Sequence, residues 1–164
     1  MRNFIKKLTI VLIAATMSFA ANAQLEEGDL TGTVKGVVGF GQSYTNFGAG
    51  VKLTYNIFES FRLAGDFEYF FKKDFVSMWD AMAYVQYVFK VSETAGIYPL
   101  IGAGIAGASA DLVDETFTDF MSAAGIGADF MLSDKISLNL EFKVQFDKNF
   151  DTRFIGGIGI AFKF

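Results

Sequence analysis

Polar and apolar residues alternate without a break from Ile136 to Asp147, "ISLNLEFKVQFD". Ile136, Leu138, Leu140, Phe142, Val144 and Phe146 share one face; Ser137, Asn139, Glu141, Lys143, Gln145 and Asp147 share the other. A repeat of two puts successive side chains on opposite sides of a β-strand. The same pattern, broken by turn residues, predicts eight strands over residues 32–41, 47–57, 61–71, 79–91, 97–107, 120–132, 136–146 and 153–164. Tight connections are expected at Phe58–Ser60, Ser92–Gly96 and Ser133–Lys135. Looser ones are expected at Gln42–Asn46, Lys72–Met78, Ala108–Asp119 and Asp147–Thr152, with Ala108–Asp119 the longest. Short turns alternating with longer loops describe an antiparallel up-and-down meander. Eight such strands close into an all-β barrel and so remove both exposed edges. Residues 24–164 read as one domain, with Gln24–Thr31 a short tether.

Two features say which face points outward. Small residues sit among the charges: Gly48 and Gly50 beside Lys52, Gly125 and Gly127 beside Asp129, and Gly157, Gly159 and Ala161 beside Lys163. Glycine weakens a strand and needs a reason, and an eight-stranded lumen, just wide enough for side chains to fill, supplies one. The second feature is spacing. Large apolar residues recur ten positions apart on the apolar face, as Phe61 and Phe71, Trp79 and Phe89, Phe120 and Phe130, Ile136 and Phe146, and Phe154 and Phe164. Ten residues rise about 33 Å. Tilted, they cover the roughly 25 Å apolar band of a transmembrane barrel, with an aromatic girdle at each rim. Phe162 joins Phe164 in that girdle.

The polar face would then line the lumen with Lys35, Lys52, Arg62, Asp66, Glu68, Asp80, Lys90, Asp129, Glu141, Lys143 and Arg153. Isolated buried charges are very costly, so these are expected to pair across the interior. An ion path is the functional reading of that belt; neutralisation of a filled interior is the plainer one.

Composition narrows the chemistry. The chain holds 20 Phe, 17 Gly, one Pro, no Cys and no His. Disulfides, thiolate chemistry and a Ser/His/Asp triad are therefore excluded. No metal or cofactor is expected. The acidic loop with Asp111, Asp114, Glu115 and Asp119 has no known calcium-loop spacing and reads as solvated. Asp66 with Glu68, or Asp129 with Glu141, could be paired catalytic carboxylates, but suit ion pairing with Arg62, Lys52 or Lys143 better, so no enzyme activity is expected. The N-terminus carries Arg2, Lys6 and Lys7, an apolar run from Leu8 to Ala20, and Ala21-Asn22-Ala23. That is the layout of a cleavable signal peptide, with cleavage after Ala23. Loss of those three cations and no acid takes the net charge from −4 to −7. An exported acidic chain is a poor partner for nucleic acid.

Signal peptide, eight amphipathic strands and a terminal aromatic resemble the small outer-membrane β-barrel proteins of OmpA/OmpX type. The segments "YPLIGAGIAG" (Tyr98–Gly107) and "AAGIGADFMLSDKISLNLEFKV" (Ala123–Val144) resemble the glycine-rich hairpins of porin-family proteins. The resemblance spans residues 24–164 and implies the outer membrane of a Gram-negative cell, with outer-membrane lipid as surroundings. Gly159, Phe162 and Phe164 are similar to that family's C-terminal assembly signal, which implies the barrel-assembly machinery as a partner. Gly157 departs from the signal by standing where a polar residue is usual.

Three functions follow from these readings: a structural or surface-interaction barrel working through its outward loops, a small porin-like channel for ions or apolar solutes, and a soluble exported barrel of lipocalin type with the apolar face inside. Pro99 and the glycines around it are candidate weak points of the wall, as the channel reading requires.

Overall fold

The computed structural model describes residues 27–41, 45–73, 76–110, 115–146 and 152–164. The expected signal peptide, the start of the tether, and Asp111 and Asp114 lie outside them. The chain passes a left-handed turn at Gly28 (φ 88°), a conformation open to glycine without a Cβ penalty. It then runs through β1 (Leu30–Phe40), β2 (Thr45–Phe58), β3 (Phe61–Lys73) and β4 (Val76–Tyr87). Beyond an interruption at Val88, β4 has a two-residue continuation, Phe89–Lys90. β5 (Ala95–Ala110), β6 (Glu115–Ser133), β7 (Ile136–Phe146) and β8 (Arg153–Lys163) complete the sheet.

Every strand pairs antiparallel with its neighbours in sequence, and β1 pairs with β8, with Lys35 opposite Gly159. The sheet is a closed, eight-stranded up-and-down barrel. Closure lets the wall satisfy its own backbone polar groups, which a bilayer requires. The tight turns and both ends of the barrel chain, Leu30 and Phe164, lie at one end. By the usual layout of such barrels this is the periplasmic end.

The amphipathic pattern is inverted relative to a soluble protein. Val34, Phe47, Val51, Ile101, Phe120, Ile126 and Ile158 are exposed, while Lys52, Asp66, Glu68 and Lys143 are buried. A lipocalin-like barrel, with apolar residues inside, is thereby overturned.

Two expectations about connections are corrected. Ala108–Asp119 is not a loop throughout: β5 and β6 continue into it, pairing Ser109 with Thr116 and Ala110 with Glu115. Lys72–Met78 likewise tightens, with Lys73 opposite Val76 across a register shift. Ladder pairing carries both hairpins past the stretch in which the two faces contrast. The fourth strand, expected to be continuous over 79–91, breaks at Val88. There the amide of Val88 donates to the carbonyl of Ser60 (2.7 Å).

The interior is also less uniform than expected. Beside the charges, an apolar cluster lines the β3–β6 side, including Ala64, Met82, Tyr84, Leu100, Met121 and Ala123. This explains the weak alternation of β5. Its inward face is Tyr98, Leu100, Gly102 and Gly104, and its outward face is apolar as well.

Candidate functional site

Inward positions stack in layers from the periplasmic end outward. In the first, β3 presents Arg62, β6 Asp129 and β7 Asn139. Arg62 pairs with Asp129 at 2.7 Å and its Nε donates to Gln86 at 2.6 Å. Its guanidinium lies over the Tyr98 ring, 4.2 Å from the centroid, close enough for a cation–π attraction. Asn139 donates from Nδ2 to Asp129 (2.6 Å) and to the Tyr98 hydroxyl (2.7 Å). That hydroxyl donates to Glu141 at 2.8 Å. Lys52 is held by Glu141 and donates to Asn139 Oδ1 at 3.0 Å.

The next layer is a four-residue exchange of opposite charges. Lys143 meets Asp66 at 3.0 Å and Glu68 at 2.7 Å. Lys35, from the opposite side, meets the same two carboxylates and lies 3.6 Å from Glu141. Register explains the meeting. Asp66 and Glu68 lie on β3 opposite Lys52 and Gly50, and Gly50 in turn pairs with Lys35 of β1. Glycine at positions 50 and 159 leaves the path open for that lysine: a Cβ on Gly159 would stand 2.7 Å from Lys35 Cβ, and one on Gly50 3.1 Å from Lys35 Cε.

Above it, Arg153 holds Asp80 at 2.6 Å and donates from Nε to Gln145 at 2.9 Å. Gln145 donates to Asp80 at 3.2 Å. Phe70, Val37 and Ile155 form an apolar cluster beside this layer, with Met78 packed against them, and Arg153 stacks on Phe70 at 4.7 Å. Glu68, Asp80, Gln145 and Ile155 are each 0% exposed, so side chains pack closely at this level of the lumen.

Ten of the eleven sequence-derived lumen residues, Lys35, Lys52, Arg62, Asp66, Glu68, Asp80, Asp129, Glu141, Lys143 and Arg153, point inward and lie in these contacts. Lys90 does not: it is exposed at the rim, 3.7 Å from Glu59. Sequence reasoning missed Tyr98, which ties Lys52, Arg62, Asn139 and Glu141 together, and Phe70, which is buried in the lumen beneath Arg153. Parity was the available signal. Phe70 has the even numbering of Arg62, Asp66 and Glu68, and Tyr98 that of Leu100 and Gly102. Among the described residues, no group of three or more acids is arranged to hold a metal ion.

On the outer wall, Phe71, Phe89, Phe120, Phe146, Phe154, Phe162 and Phe164 are exposed. Phe61, Trp79 and Phe130 are half-buried. Trp79 stacks with Phe67 (6.3 Å) and covers Gly107, whose added Cβ would meet the indole at 2.6 Å. Phe164 rests against Gly32 and donates its amide to the Leu30 carbonyl at 3.0 Å.

An apolar belt around a closed sheet, with a charge-balanced interior, defines an integral barrel of the outer-membrane class. Sequence comparison places the chain further. A model of the family described as outer membrane protein beta-barrel domain matches residues 8–164, and the chain belongs to that family. Similar solved structures include Neisserial surface protein A (14% identity, covering 83% of this chain and 96% of that one, TM-score 0.69). OprG of Pseudomonas aeruginosa gives 10% identity, 88% and 99% coverage, and a TM-score of 0.62. Ail of Yersinia pestis gives 17%, 84% and 99%, and 0.55. At such identities the likeness is one of fold. No curated protein gives a significant sequence match. Family and fold together place the protein in the cell outer membrane.

Proposed function

We propose that this outer-membrane barrel is a structural or surface-interaction protein with a sealed lumen, its outward connections being the working parts. The observation that carries the reading is the layered plug. The three charged belts pack with the apolar cluster of Phe70, Val37 and Ile155, whose exposures are 1%, 5% and 0%. An ion crossing would have to part several buried pairs and displace the apolar side chains packed among them, and each broken buried pair costs about 3–5 kcal/mol. Catalysis is not part of the reading, although one fold neighbour, PagL, is described as an outer-membrane enzyme. The chain has no His or Cys to serve as base or nucleophile, and the carboxylates at Asp66, Glu68 and Glu141 are engaged by lysines. The likeness to Ail, described as an attachment invasion locus protein, agrees with surface interaction. Delivery by the barrel-assembly machinery, with Gly159, Phe162 and Phe164 as the signal, and the aromatic girdle belong to the same proposal.

Planar-bilayer recording of the refolded chain tests it. The sealed lumen predicts no conductance steps above baseline, and none in Phe70→Ala either, since the charged belts remain. Regular steps in the unaltered protein would favour the porin-like alternative for ions or small apolar solutes.

A further inference from the structure

Below the first charged layer the lumen is not filled. A cavity of about 340 Å³ lies there, within the size range of small-molecule sites. Its ceiling is formed by Lys52, Arg62 and Asn139, and its rim by the turn carrying Ser92 and Glu93. Those turn residues are exposed, so the chamber opens toward the periplasm and ends blindly at the plug.

We infer that this chamber is a periplasm-facing binding site for a small, neutral, polyhydroxylated solute of sugar type. Three observations set the class. First, the ceiling cations are already neutralised: Arg62 by Asp129 at 2.7 Å and Lys52 by Glu141. Lys90, at the exposed rim, is 3.7 Å from Glu59, so a charged ligand would compete with an existing pair at the ceiling or the rim, whereas a neutral one leaves all of them intact. Second, the walls carry the hydroxyls of Thr31, Thr33, Thr54 and Ser137. Each hydroxyl both donates and accepts, so the set matches a ligand whose own groups do the same. Third, Val88, Met131 and Ala161 supply an apolar side between the hydroxyls, suited to the C–H face of a pyranose ring. The chamber lies on the periplasmic side of the plug, so the inference stands apart from whether the lumen conducts.

The test is titration of the mature protein in detergent micelles with methyl glucoside and trehalose, followed by NMR. Saturable shifts are expected at Thr31, Thr33, Thr54 and Ser137, with none at the outward Val34 and Val51. Glucuronate, anionic but similar in size, should bind more weakly. Ala161→Phe, which fills the chamber, should abolish the shifts while the protein keeps its heat-modifiable gel mobility. If Ala161→Phe does not fold, Ser137→Val decides, and several-fold weaker binding is expected from loss of one hydroxyl. Absence of saturable shifts, tighter binding of glucuronate, or undiminished binding in the deciding variant would overturn the inference.

Discussion

Tyr98 shows how a single side chain organises the interior. Its ring lies across the backbone of its cross-strand partner Gly127, where an added Cβ would stand 2.2 Å from the ring carbon bearing the hydroxyl. Gly127→Ala should therefore displace the ring and loosen its bonds to Glu141 and Asn139, costing about 1–3 kcal/mol by the usual scale for overpacking. Gly36→Ala is the control, because nothing lies within 4 Å of a Cβ there. Urea unfolding in micelles should separate the two variants, and equal stabilities would refute this account of Gly127. Glu141→Gln leaves Lys52 buried without its carboxylate, and a loss of about 3–5 kcal/mol is expected in the same assay. Glu59→Gln, at the exposed Lys90 pair, should change stability by about 0–1 kcal/mol.

Among the strands, β8 closes the barrel, and its two faces divide the labour. Gly157, Gly159 and Ala161 leave room for the lumen, while Ile158, Phe162 and the following Phe164 face outward. Phe164 contributes a hydrogen bond to Leu30 and a ring against Gly32, so it ties the end of the chain to the first strand. Deleting Phe164 should slow assembly into the outer membrane in cells, followed by the appearance of the heat-modifiable form. Refolding into micelles should suffer less, since only one terminal contact of the closing strand is lost. Equal assembly with and without Phe164 would leave the residue no role as a signal.

For the whole molecule, the position of the charges sets the response to solution conditions. The side chains of Lys35, Asp66, Glu68 and Lys143 are 0–2% exposed, and buried pairs are screened far less than surface ones. Stability in a non-ionic micelle should therefore change little between low and high salt. A steep decline with salt would mean that water and ions reach the belts, contrary to the sealed lumen. The same barrel should require detergent for extraction and migrate faster unheated than boiled.

Much of this architecture was written locally. Alternation in "ISLNLEFKVQF" is the strand Ile136–Phe146 as found, because one face had to meet lipid and the other the lumen. Strand number, antiparallel order, the outward apolar face and the inward side of every lumen charge except Lys90, which sits exposed at the rim, follow from a period of two, which a strand imposes on its own residues. Where that contrast fades, so did legibility. β5 is apolar on both faces, and the ladder of β5 with β6 continues to Ala110 opposite Glu115, past the stretch where the sequence alternates. Partners were beyond local reading altogether. Lys52 meets Glu141 across a separation of 89 residues, and Lys35 meets Glu68 across 33. Register between strands and closure of β1 on β8 decide those distances, and neither is a property of any one segment. The sequence by itself therefore determined an inside-out barrel with charges that must pair. Only the tertiary structure decided which charges pair, that Phe70 packs among them, and that a chamber remains open beneath, because each depends on how eight strands meet in one narrow space.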